Sequence, residues 1–110
     1  MVKLQNKIKL HFKLPTHHND HTPIPDKEFV GVRNYFVNLY GGLTVDSPSY
    51  GFWEDDGVVY EDEILEYSIF IPKRDFERNY KNRISYQIET FKKQFKQIDI
   101  LCYYYGVVSN

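Results

Sequence analysis

A single cysteine, Cys102, leaves no partner for an intramolecular disulfide, so this chain must fold without covalent staples, as suits a reducing compartment. That cysteine sits in an apolar run, which reads as a packed thiol and not a nucleophile. No apolar stretch approaches the roughly 18 residues that span a bilayer. Residues Met1 to Lys7 lead into strand-like alternation instead of the apolar core of a signal peptide, so no membrane is expected and a cytoplasmic location follows. Internal repeats and low-complexity segments are also missing. A further absence is electrostatic: between Arg33 and Lys73 there is no Lys or Arg, whereas Asp46, Glu54, Asp55, Asp56, Glu61, Asp62, Glu63 and Glu66 all fall there. The net charge of -1 therefore hides an acidic middle and basic ends, an asymmetry that concerns fields and partners more than fold.

What is present suffices for one core. With 110 residues, 42% of them hydrophobic and 17% aromatic, the chain reads as a single globular, soluble domain over 1–110. Ile8, Leu10, Phe12 and Leu14 alternate with Lys7, Lys9, His11 and Lys13, the period-two pattern of a strand with one apolar face. His11, on the polar face, is expected to be exposed. Pro25-Asp26-Lys27-Glu28 marks a helix start, and Phe29, Val32, Phe36 and Leu39 place one stripe on a sheet before Gly41-Gly42 ends the helix. Gly31 weakens that helix, which suggests a close approach of its backbone to something.

Leu43 to Trp53 and Val58 to Ile71 read as two strands joined at Glu54-Asp55-Asp56-Gly57, because Asp-Gly supplies the positive φ of a tight hairpin turn. Pro48 predicts a bulge or an edge position in the first of them. Asp75 reads as the N-cap of a second helix with the stripe Tyr80, Ile84, Ile88, Phe91 and Phe95. Ile98 to Val108 reads as a last, central strand. The order β-α-β-β-α-β predicts an α+β, ferredoxin-like split βαβ domain: a four-stranded antiparallel sheet with both helices on one face.

The run Gly41-Gly42-Leu43-Thr44, then Gly51-Phe52-Trp53, then Val59-Tyr60-Glu61-Asp62-Glu63 before an apolar strand, resembles a loose group of small, mostly uncharacterised prokaryotic and phage domains. The resemblance implies the ferredoxin-like fold and carries no activity with it.

Four features could hold chemistry. His17, His18 and His21, with Asp20, offer nitrogen and oxygen ligands to a divalent metal, although the spacing also suits a solvated loop. Glu61 and Glu63 lie in phase with Leu65 and Tyr67 and are the candidate acid or base residues of a metal-assisted phosphodiesterase or nuclease; Arg33 or a second subunit could neutralise them. The aromatic residues Trp53, Tyr60 and Tyr104 could stack a planar ligand on the open sheet face, with Arg33, Arg74 or Arg78 meeting its anionic part. Gly41-Gly42 lies at a helix C-terminus and reads as a cap, not a phosphate cradle. Nucleic acid is not favoured, because acids occupy the third strand, where the signature of RNA-recognition domains would lie. The preferred reading is a homodimer that captures a small ligand, a nucleotide being one option. The alternatives are the metal-dependent enzyme and a protein-interaction domain that uses the acidic hairpin as inhibitor or adaptor.

Overall fold

The computed structural model describes residues 3–97 and 100–109. In chain order it comprises β1 (Gln5–Pro15), α1 (Asp26–Tyr40), β2 (Thr44–Val45), β3 (Ser49–Asp55), β4 (Val58–Pro72), α2 (Lys73–Asp75), a π-helical turn (Phe76–Tyr80), a 3-10 turn (Lys81–Arg83), α3 (Ile84–Gln94) and β5 (Leu101–Ser109). All pairings are antiparallel and the strands lie in the order β2-β4-β1-β5, with β3 also on β4. This is the expected ferredoxin-like architecture. Its edge strand opposite β5 is broken into β2 and β3 by Asp46-Ser47-Pro48, where proline cannot continue the ladder.

Alternation along β1 sorts the core. Leu10, Phe12 and Leu14 are essentially inaccessible and meet Tyr67, Ile69 and Ile71 of β4, Val32 and Phe36 of α1, and Phe76, Phe91 and Phe95. Phe36 lies 5.2 Å from Phe12 and 5.7 Å from Phe91, ring centre to ring centre, in the tilted arrangements that aromatic pairs prefer. Helix α1 stops at Gly41, whose φ of 83° lets its N–H reach the Val37 carbonyl at 2.9 Å. Among the described residues no helix is long and apolar enough to cross a membrane.

Several expectations need correction. The last strand is an edge, not a central strand: among the described residues β5 pairs with β1 alone, and the inner strands are β1 and β4. Its apolar run covers the helices with one face and a histidine with the other; residues 98–99 of the expected strand lie outside the described residues. Asp75 does not cap the second helical segment, which begins at Lys73 after Pro72 and carries Asp75 in its first turn, where the carboxylate still meets the positive dipole end. The π-helical turn shifts the buried stripe to Phe76, Ile84, Gln87, Phe91 and Phe95. Nothing approaches Gly31 closely, since a Cβ there would meet no atom within 4 Å; it lines an open groove between α1 and α3.

The hairpin outruns the sheet. β1 pairs with β4 from Ile64 to Pro72, so among the described residues 58–62 have no strand partner but β3 and the two strands project as an arm. The molecule measures 54 × 25 × 25 Å in consequence. Asp56 and Gly57 turn the arm with φ of 49° and 79°, the pair of left-handed residues that a two-residue hairpin between twisted strands demands.

Candidate ligand-binding cleft

Where the arm leaves the sheet, the loop after β1 folds back beside it. Thr16 N–H donates to the Glu63 carbonyl (2.9 Å) and Ile24 N–H to the Thr16 carbonyl (2.9 Å), with Ile24 plugged into the core. The loop tip closes through His18 N–H to the Thr22 carbonyl (2.8 Å) and His21 N–H to the His18 carbonyl (2.9 Å). Asp20 takes the side-chain and backbone donors of Thr22, and these bonds hold its carboxyl below the ordinary aspartate value. Prolines and Asx chemistry thus make a rigid hairpin-like loop out of what its composition suggested only as a polar connection.

Between loop and arm lies a cleft of about 520 Å³. Its floor is an aromatic pair: Trp53 and Tyr60 are directly opposite in register and stack with ring centres 4.4 Å apart and planes 17° from parallel. The Trp53 indole N–H donates to Asp62 Oδ2 at 2.7 Å, fixing the ring. Carboxylates of Asp55, Glu61, Asp62 and Glu63 and the imidazoles of His17, His18 and His21 line the rest. His18 Nδ1 is buried there without a hydrogen-bond partner, an acceptor or donor still to be used. The volume falls within the range of small-molecule sites, and the lining suits a flat ring that bears amino groups better than one that bears anions.

The residues singled out in the sequence end up in four places. His17, His18, His21, Trp53, Tyr60, Glu61 and Glu63 share the cleft. Arg33 does not reach Glu61 or Glu63: it stands beside the buried Tyr67 hydroxyl, where burial raises the phenol and the guanidinium partly offsets that. Arg74 and Arg78 line a separate basic cavity of about 430 Å³ with Asn6, Lys73 and Glu77, at the opposite end of β4. Tyr104 faces the helices, not the open side, with its ring 4.8 Å from Phe76. The imidazoles do not converge, since His17 Nδ1 bonds Thr16 Oγ1 at 2.7 Å and His21 takes a φ of 68°; among the described residues no three His, Cys, Asp or Glu side chains are placed to hold a metal ion. The divalent-metal reading of the loop and of Glu61 with Glu63 therefore finds no ligand set here.

His11, expected to be exposed, is instead buried on the open face of the sheet. It is 4% exposed, stacked between Tyr103, its cross-strand partner, and Tyr105, whose rings close over it. The tyrosines on β5 at period two opposite a histidine were the signal, and it becomes readable only once the register is known.

No family model matches the chain, and no curated protein matches it in sequence. Solved structures do match it in shape. A phage SAM lyase in complex with S-methyl-5'-thioadenosine superposes with a TM-score of 0.67 at 8% identity, over 94% of this chain and 90% of that one. CutA from Synechococcus elongatus gives 0.61 at 11% identity, over 97% and 85%. CPII, a nitrogen regulatory PII-like protein from Thiomonas intermedia bound to ADP, AMP and bicarbonate, gives 0.53 at 16% identity, over 99% and 100%. At these identities the similarity is one of fold: the chain shares the ferredoxin-like βαββαβ architecture of all three.

Proposed function

We propose that this chain is a binding module for a small adenine-type ligand and acts as a homodimer. The observation that carries the reading is the Trp53–Tyr60 stack on the floor of the acidic cleft, a ready platform for a planar base whose amino group can donate to Asp62 or Glu61. Two of the structural neighbours hold adenosine-derived molecules, which supports the choice of ligand class. Within one protomer the arginines cannot serve this site, because Tyr60 and Pro72 are separated by about 40 Å along an extended strand. In a dimer that places the acidic arm of one copy against the basic end of the other, Arg74 and Arg78 of the second copy reach the anionic part of a nucleotide.

The test is a thermal-shift series with adenosine, AMP and ADP on the wild-type chain and on Trp53→Ala, run beside equilibrium sedimentation. The wild type should be stabilised by at least one of the three and the variant at least tenfold less responsive in apparent affinity. A strict monomer that none of the three ligands stabilises would overturn the reading. Exposed Phe52 and Val59, on the arm but outside the cleft, favour a second reading, capture of a basic protein by the acidic hairpin. Salt-sensitive binding of such a partner by a nucleotide-blind monomer would select it.

A further inference from the structure

The open face of the sheet holds a second constellation, made of residues that do not line the cleft. Tyr105 Oη lies 3.1 Å from His11 Nε2. His11 Nδ1 has no hydrogen-bond partner and faces Glu66 Oε1 at 3.4 Å. Glu66 is itself held by the Tyr103 hydroxyl, which donates to the same Oε1 at 2.7 Å. We propose that Tyr105, His11 and Glu66 form an acyl-accepting site in which the Tyr105 hydroxyl is the nucleophile, for an acyl group carried on an anionic leaving group.

The order of the three groups is that of an activated nucleophile: a hydroxyl on a base, and the base oriented by a carboxylate. A carboxylate opposite Nδ1 selects the tautomer with the proton on Nδ1, since a lone pair there would face like charge. Nε2 is then an acceptor, so Tyr105 must donate its O–H to it and leave its oxygen lone pairs toward solvent. Stacking of the imidazole on Tyr103, 4.5 Å away and 6° from parallel, keeps the ring in this orientation. The charged and titratable groups around His11 are Glu66 from β4, Tyr103 and Tyr105 from β5, Asp46 beside Tyr103 and Glu66, and Lys9 and Lys13 two residues away on its own strand; Ser68 lies directly across. Lys9, opposite Tyr105 in register and above the Phe70 ring, and Lys13, opposite Glu66, put positive charge on this face, which is the reason for an anionic carrier.

With an acyl phosphate as donor, Tyr105 Oη attacks the carbonyl carbon and its proton passes to His11 Nε2. The bond between the acyl carbon and the phosphate oxygen breaks, and its electron pair leaves with phosphate. The imidazolium, stabilised by Glu66, returns the proton to phosphate or water. The products are an O-acyl tyrosine at Tyr105 and inorganic phosphate. Tyr105 and His11 are the catalytic residues, and Glu66 and Tyr103 position them.

Incubation of the full chain with acetyl phosphate, followed by peptide mass spectrometry of O-acetyl tyrosine, tests this. Tyr105 should be acetylated at least tenfold faster than Tyr86, although Tyr86 is the more exposed of the two at 76% against 46%. His11→Gln and Glu66→Gln should each slow Tyr105 tenfold or more and leave Tyr86 unchanged; Glu66→Gln keeps the side-chain shape and serves if loss of the buried ring prevents folding. Equal rates at Tyr105 and Tyr86, or Tyr105 rates in both variants that match the wild type, would overturn the proposal.

Discussion

The tyrosines next to each other on β5 differ in what their oxygens touch, and that decides their chemistry. Tyr103 donates to a carboxylate that cannot tolerate a phenolate beside it, which lifts its pKa to about 12. Cys102 between the strands and helices is lifted to about 12 by burial alone. Each shift raises the folded value above the unfolded one, so the stability it represents is complete below the ordinary thiol value of about 8.5 and is lost as pH climbs toward 12. Native protein at pH 8 should therefore leave Cys102 unmodified by iodoacetamide over hours in which the denatured chain is alkylated fully. Thermal unfolding midpoints should fall steadily above about pH 9. Rapid alkylation of the native chain would mean that the thiol is reached without unfolding. The packed thiol was legible in the sequence because apolar neighbours on a strand are enough to infer it. The burial of His11 was not, because it depends on which residues of two other strands stand opposite.

At the scale of elements, periodicity carried most of the fold. The strand alternation of Ile8 to Leu14, the helical stripe of α1 and the Asp-Gly turn were all readable, since each is a local pattern with a local cause. The edge position of β5 and the insertion of a π-helical turn after Asp75 were not, since strand order and a shift of one residue in a helix are set by tertiary packing. Gly31 shows how the two levels meet. Its place in the interior of α1 costs helix stability, yet nothing fills the space above it. Gly31→Ala should therefore stabilise the protein by about 0.5 to 1 kcal/mol, and chemical denaturation should show a higher midpoint with an unchanged slope. A lower midpoint would mean that the groove between α1 and α3 closes on the backbone in solution.

Across the whole molecule, acid and base are gathered at opposite ends of one long strand. The arm carries Glu54, Asp55, Asp56, Glu61, Asp62 and Glu63, and the far end of β4 meets Lys73, Arg74 and Arg78. A two-stranded hairpin on its own is marginal in water, and Tyr50, Phe52 and Val59 leave this one with exposed apolar surface, so association that covers it is favourable. Contacts between exposed charges weaken with salt, so the proposed dimer should dissociate at least tenfold more readily at 0.5 M salt than at 0.05 M. Charge reversal gives the sharper test. Glu61→Lys with Glu63→Lys sets two lysines against Arg74 and Arg78 of the second copy, and Arg74→Glu with Arg78→Glu sets two glutamates against its Glu61 and Glu63. Each double variant should sediment as a monomer, because both of its arm contacts become repulsive, whereas an equimolar mixture should form a heterodimer in which both contacts are attractive again. If the mixture stays monomeric while the wild type dimerises, the two copies meet through some other surface, and Arg74 and Arg78 do not complete the cleft at Trp53 and Tyr60.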